Sequence, residues 1–219
     1  MAENTSTFTG AAADGTALTA VYLTQPAANV AIGLVFAGSD LPRIVHWGRP
    51  LAKPDTLLAA YDALKPQRVS GALDETTWPS IMPTQSESWL GAPRLDIRRA
   101  GVTPFCAFTV TGIAIRQDER QGVDVSDGVD GAAHTVTQQV PVTVTASDTE
   151  QGVELSWTAE LLPGGLIRQR TTLRNLPAGN LPTGDLEVGK VELGFPLPAL
   201  ATEILTTTGH HLRERRPQR

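Results

Sequence analysis

Between Val153 and Leu161 apolar and polar residues alternate without a break. Val153, Leu155, Trp157, Ala159 and Leu161 fall on one side, and Glu154, Ser156, Thr158 and Glu160 on the other. Successive side chains of an extended backbone point to opposite faces, whereas a helix would scatter this set around its axis. The segment is expected to be a strand with one buried and one wet face. Pro163-Gly164-Gly165 then supplies a turn and 166–175 runs back, so the pair forms a β-hairpin.

Similar short apolar segments rich in Val, Thr and Ile recur at 18–24, 30–36, 43–47, 105–115, 134–146 and 186–195. The 20 Gly and 16 Pro are spread between such segments rather than gathered in one linker, as in an all-β sandwich or barrel. Pro141 interrupts the run 135–145; it cannot donate to a ladder, so it is expected at an edge or a bulge. One helix is expected, over 56–65. There Leu57, Leu58, Tyr61 and Leu64 share a face and Asp55 stands ready to cap the start. Residues 1–14 are expected to be a disordered N-terminus and 15–219 a single β-sandwich domain. Within it, 65–99 forms a long loop carrying Trp78 and Trp89; a loop of that length is usually functional or packed on another surface.

The bulk composition narrows the function classes. A formal net charge of −5 lacks the basic excess of a nucleic-acid binder, so no nucleic-acid partner is expected. No apolar run approaches the about 18 residues of a membrane span, and the first residues carry no signal-peptide pattern. A cytoplasmic protein without a membrane partner is the expectation. Cys106 is the one cysteine, set among Phe105, Ala107 and Phe108, and is expected to be a buried, inert thiol. No Cys/His cluster has metal-ligand spacing, so neither metal nor cofactor is expected.

No motif announces chemistry. A retaining glycosidase needs two carboxyl groups about 5–5.5 Å apart, and nothing in the spacing of Asp55, Asp62, Asp74 and Asp96 singles out a pair. There is no nucleophile elbow, phosphate-binding glycine loop or zinc-protease helix. Two places stand out. His46-Trp47-Gly48-Arg49 closes a strand, with Trp47 either a core residue capped by a turn or a surface platform. The tail, Gly209-His210-His211-Leu212-Arg213-Glu214-Arg215-Arg216, is either a solvated end or a set of ligand groups, since guanidinium forks bond hydroxyls.

Taken in order, three segments resemble the N-terminal domain of glycoside hydrolase family 36 α-galactosidases, of an actinobacterial-like type. Leu41-Pro42-Arg43-Ile44-Val45-His46-Trp47-Gly48-Arg49 resembles a strand ending in the family's Trp-Gly-basic turn. Residues 156–175 resemble its hairpin, and 209–215 its Gly-x-Trp-x-Arg-Glu-Arg signature. The resemblance implies a β-supersandwich of the galactose mutarotase type, incomplete at its C-terminal end and cut before the catalytic (β/α)8 barrel. It also implies a parent enzyme that hydrolyses terminal α-galactosides such as melibiose and raffinose by a retaining mechanism. No catalytic residue is then expected in this chain.

The implied partners are the parent's catalytic barrel, further copies in a homo-oligomer such as a tetramer, and a galactoside. The signature's aromatic falls on His211, which offers less ring area for stacking. The family's loop Asp and Arg, which contact galactose, correspond to Asp62 and Arg68. The stretch that follows the loop in the family is replaced here by Trp89-Leu90-Gly91-Ala92-Pro93-Arg94-Leu95. Missing strand partners would leave the isolated chain marginally stable or prone to aggregate. Two other functions fit an all-β sandwich: a free-standing carbohydrate-binding module with Trp47, Trp78 or Trp89 as platforms, and a mutarotase-like epimerase. The second needs a positioned acid and base that the four histidines do not visibly supply.

Overall fold

The computed structural model describes residues 5–67, 78–115, 140–176, 185–197, 203, 206–210 and 213–218. Its frame is two four-stranded antiparallel sheets. The first runs in the order β1 (Thr5–Ala11), β2 (Ala17–Gln25), β3 (Val30–Ala37) and β4 (Arg43–Gly48). The second consists of β6 (Thr109–Ile115), β7 (Val142–Asp148), β8 (Val153–Leu161) and β9 (Ile167–Asn175), and β5 (Leu95–Arg99) precedes it in the chain. The two sheets pack face to face as an all-β sandwich. Val21, Leu34 and Phe36 from one meet Val144, Leu155 and Trp157 from the other in a single buried cluster.

The first sheet is covered on its other face as well. Leu18, Ala20, Tyr22, Val35 and Val45 point away from the sandwich core and pack against Leu57 and Tyr61 of α1 (Thr56–Leu64). Two-sided burial explains why β3 is an unbroken run of apolar residues rather than an alternation. The helix comes so close that residue 33 has to be glycine. A Cβ there would stand 2.5 Å from Leu57 Cδ2, and the ladder between β3 and β4 shifts register at the next residue.

In the second sheet, β8 is buried at every odd position from Val153 to Leu161, as the alternation predicts. It pairs with β9 from Val153↔Asn175 to Leu161↔Ile167. The hairpin turn is closed by Gly165 N–H to Leu162 O and Leu162 N–H to Leu166 O, both at 2.8 Å. Gly165 takes φ 79° there, a conformation glycine adopts at little cost. On the outer face Glu160 pairs with Arg168 and Glu154 with Arg174, across directly registered positions.

Smaller pairs complete the frame. β5 pairs with β10 (Leu186–Val191), and β11 (Thr206–His210) pairs with β12 (Arg213–Gln218). Arg99 at the end of β5 fastens this pair to the second sheet. Its Nη2 donates to the carbonyls of Gln151 and Gly152 at 3.3 and 3.2 Å and to Asn175 Oδ1 at 2.7 Å.

Several expectations need correction. Thr5–Ala11 lies within the stretch expected to be disordered, yet it forms β1, paired residue for residue with β2. It is an edge strand held by backbone bonds, so a polar composition suffices. The 65–99 loop contributes to the core: Ser80, Ile81 and Met82 are buried and Ile81 N–H donates to Pro42 O at 3.1 Å. The same stretch ends in β5.

Asp55 does not cap α1. Its own backbone is already helical and its side chain makes no capping bond; Thr56 Oγ1 donates to Lys53 O at 2.6 Å instead. Leu64 is exposed, leaving Leu57 and Tyr61 as the buried face. Pro141 lies directly before β7, an interior strand, so it is accommodated by starting the ladder after it rather than by an edge or bulge. The strand expected over 105–115 begins only at Thr109, and that over 186–195 ends at Val191.

Candidate ligand cleft

A cavity of about 500 Å³ opens between the β3–β4 turn and the C-terminal end of α1. Ser39 and Asp40 come from the turn, Arg43 from the first position of β4, Tyr61 and Lys65 from the helix, and Trp78 from the segment beyond it. The size lies within the about 300–1,000 Å³ of small-molecule sites.

Arg43 organises one wall. Its Nε donates to Trp78 O at 3.1 Å and its Nη1 to Asp40 Oδ2 at 3.4 Å, while the guanidinium lies 5.7 Å from the centroid of the Trp78 ring. Trp78 in turn packs against Tyr61, with centroids 4.9 Å apart and planes tilted by 36°. Lys65, which also lines the cavity, forms a second ion pair, Nζ to Asp14 Oδ2 at 3.0 Å. Asp14 also accepts the Thr16 N–H at 3.0 Å.

Each charge shifts as its surroundings require. Hydrogen bonds from Thr16, and then from Lys65, hold the Asp14 carboxyl well below the usual carboxylate range. The bond to Asp14 raises Lys65. Burial raises the Tyr61 phenol, against the opposing pull of Arg43 and Lys65. The cleft thus presents two cations, each compensated by a carboxylate, around an aromatic floor.

Of the residues that the sequence singled out as a sugar site, only Asp62 lies among the described residues. Asp62 sits on α1 beside the cleft, but its Oδ2 accepts the Ala13 N–H at 2.9 Å, tying the helix to the end of β1. Arg68 and His211 lie outside the described residues. Trp47 is neither core nor free platform: it is 37% exposed and meets Phe195 edge-on, centroids 5.2 Å apart. Trp89 donates its indole N–H to Ala92 O at 3.0 Å and lines a smaller cavity of about 200 Å³ with Pro79, Ile81, Arg94 and Leu197. Trp78 does line the cleft, although its ring already carries Arg43. Asp40, Arg43, Tyr61 and Lys65 carried no sequence signal as a site, because three separate segments supply them.

Other titratable groups serve the fold. Cys106 is buried, as its apolar neighbours predict; burial, with Asp148 beside it, pushes its thiol up to about 12. Asp148 accepts N–H groups from Ala107 and Gln151 at 2.8 and 2.9 Å. Burial also raises Glu87, which accepts the Ser80 hydroxyl at 2.8 Å. Among the described residues no three His, Cys, Asp or Glu side chains converge to hold a metal, and no helix is long and apolar enough to cross a membrane.

No curated protein and no solved structure gives a significant match to this chain. Residues 40–219 match the family model described as the glycosyl hydrolase family 36 N-terminal domain, the domain that the segments at 41–49, 156–175 and 209–215 resemble.

Proposed function

Because the chain belongs to the glycosyl hydrolase family 36 N-terminal domains, we propose that it is the non-catalytic sandwich of an α-galactosidase. In this reading it works beside a catalytic barrel that cleaves terminal α-galactosides such as melibiose and raffinose. The sandwich helps to assemble the oligomer and to shape the sugar site, while bond cleavage belongs to barrel carboxylates. The observation that carries the reading is the family match, which begins at residue 40 and takes in β4 of the first sheet and all of the second. The side-chain chemistry agrees with it, because the carboxylates around the cleft are committed. Asp14 is bound to Lys65 and Thr16, Asp40 to Arg43, and Asp62 to the Ala13 amide. None of these is a free acid or base awaiting a glycosidic oxygen.

A chromogenic α-galactoside tests the proposal. The purified 219-residue chain is expected to give no turnover above the uncatalysed rate. The same chain fused ahead of a family 36 barrel is expected to turn the substrate over faster than that barrel alone. Hydrolysis by the chain itself, or a fusion no better than the bare barrel, would overturn the assignment.

A further inference from the structure

We propose that β10 is a docking edge for a second copy of this chain, paired antiparallel about a two-fold axis at Val188. The inference rests on the oligomer of the accessory-domain reading, to which it assigns a surface. Among the described residues β10 pairs with β5 alone, so its other edge is open to a further strand. Register decides which of its side chains share a face. The ladder to β5 skips Gly189, pairing Val188 with Ile97 and Lys190 with Asp96. The skip puts Leu186, Val188 and Val191 on one side of β10, and Glu187 and Lys190 on the other. The apolar side continues the buried side of β5, where Leu95 and Ile97 lie in the core. On β10 that side is left open: Val188 is 51% exposed and Val191 39%.

The polar side selects the occupant. Two antiparallel copies related by an axis through Val188 set Glu187 of each against Lys190 of the other. The same register sets Leu186 against the partner's Val191, and each strand repeats the one-residue skip that β5 already accommodates. A lone lysine on an edge discourages pairing, but Glu187 on the same face turns this one into half of a complementary pair. Lys190 has room for a second carboxylate. Its present acceptor Glu192, at 2.6 Å, also holds Arg94, so one acid serves two cations. Glu187 makes no salt bridge among the described residues. The edges of the two four-stranded sheets lack this pattern. β1 and β6 carry no charged side chain, and β4 and β9 hold arginines without an acid. β5 alternates Asp96 with Arg98, but its apolar side is already buried.

Sedimentation velocity on the full 219-residue chain, over a micromolar-to-millimolar concentration series, tests the contact. A monomer–dimer equilibrium is expected. Glu187→Lys and Lys190→Glu each set like charges opposite one another twice, and each should weaken self-association about tenfold or more. Mixed in equal amounts, the two variants should associate again, because opposite charges then face each other. That recovery also shows that both variants are folded. Val188→Cys should give a disulfide-linked dimer under mild oxidation, since the axis brings the position against itself while Cys106 stays buried. Leu166→Cys, on the exposed β8–β9 turn, should stay unlinked. A chain that is monomeric throughout, a dimer indifferent to both charge reversals, or a mixture that fails to associate would each overturn the proposal. So would oxidation that links Leu166→Cys as readily as Val188→Cys. Hydrolysis plays no part in these readouts, so the contact can fail while the accessory-domain assignment stands, and the reverse.

Discussion

Gly33 of β3 lies beneath Leu57 of α1, so closely that an added methyl would reach 2.5 Å from Leu57 Cδ2 and 2.8 Å from Cδ1. Leu57 is only 1% exposed and has nowhere to swing. Gly33→Ala is therefore expected to destabilise the chain by about 1–3 kcal/mol through overpacking. Leu57→Ala alone should cost about 2–5 kcal/mol. The double variant should lose less than the sum, because the shortened side chain makes room for the new methyl. Urea unfolding of the four proteins checks this, and strict additivity would show that the two positions do not touch.

Trp157 is fully buried in the sandwich and donates its indole N–H to Gln169 Oε1 at 3.0 Å, one strand away. Gln169→Leu keeps the bulk at that position but strands the indole N–H, at an expected cost of about 1–3 kcal/mol. Trp157→Ala should cost about 3–5 kcal/mol by opening a cavity in the core. If Gln169→Leu proves neutral in denaturant melts, the bond contributes nothing to stability.

Cys106 gives a pH-dependent prediction. Its thiol stays protonated in the folded chain up to about 12, because it is buried and has Asp148 nearby. In the unfolded chain it ionises near about 8.5. Between those values the folded state holds a proton that the unfolded state has lost, so stability falls as pH rises. The slope is at most about 1.4 kcal/mol per pH unit. Cys106→Ala should flatten the unfolding free energy between pH about 8.5 and 10, relative to the parent protein. An unchanged slope in the variant would assign the effect to other groups.

Arg99 carries three acceptors on one nitrogen, from the β7–β8 turn and the end of β9. Arg99→Met keeps much of the side chain's length but removes the donor, and should cost about 1.5–3 kcal/mol. Hydrogen exchange should quicken first around Gln151 and Gly152 and at the end of β9. Exchange that quickens evenly over both sheets would mean that Arg99 stabilises the molecule as a whole rather than this corner.

The legible parts of the sequence were those whose burial is one-sided. Val153–Leu161 alternates because one face meets the core and the other meets water, and the Pro-Gly-Gly turn fixes where the chain returns. β1 was opaque, because its strand character comes from backbone pairing with β2 rather than from its own side chains. Ser80, Ile81 and Met82 were opaque for a different reason: three residues are too few to show a period, and only the packed sandwich makes them core. The cleft was the least legible feature. Its ion pair from Lys65 to Asp14 spans 51 positions and its bond from Arg43 to Trp78 spans 35, separations that leave no local pattern. The family resemblance was carried instead by contiguous segments, which survive as words in a sequence.

The first sheet has α1 on one side and the second sheet on the other, and this limits how the molecule can be extended. A third layer cannot be stacked on strands already sandwiched twice. Among the described residues, the outer wall of β6 to β9 is studded with Thr143, Thr145, Arg168, Arg170 and Arg174, while Ile113 and Ile115 of β6 and Val188 and Val191 of β10 are exposed apolar positions. A neighbouring body that meets this domain away from the twice-covered sheet can therefore approach either that polar wall or the exposed apolar positions of β6 and β10. The first approach favours a contact built from hydrogen bonds and charge, the second one built from apolar burial.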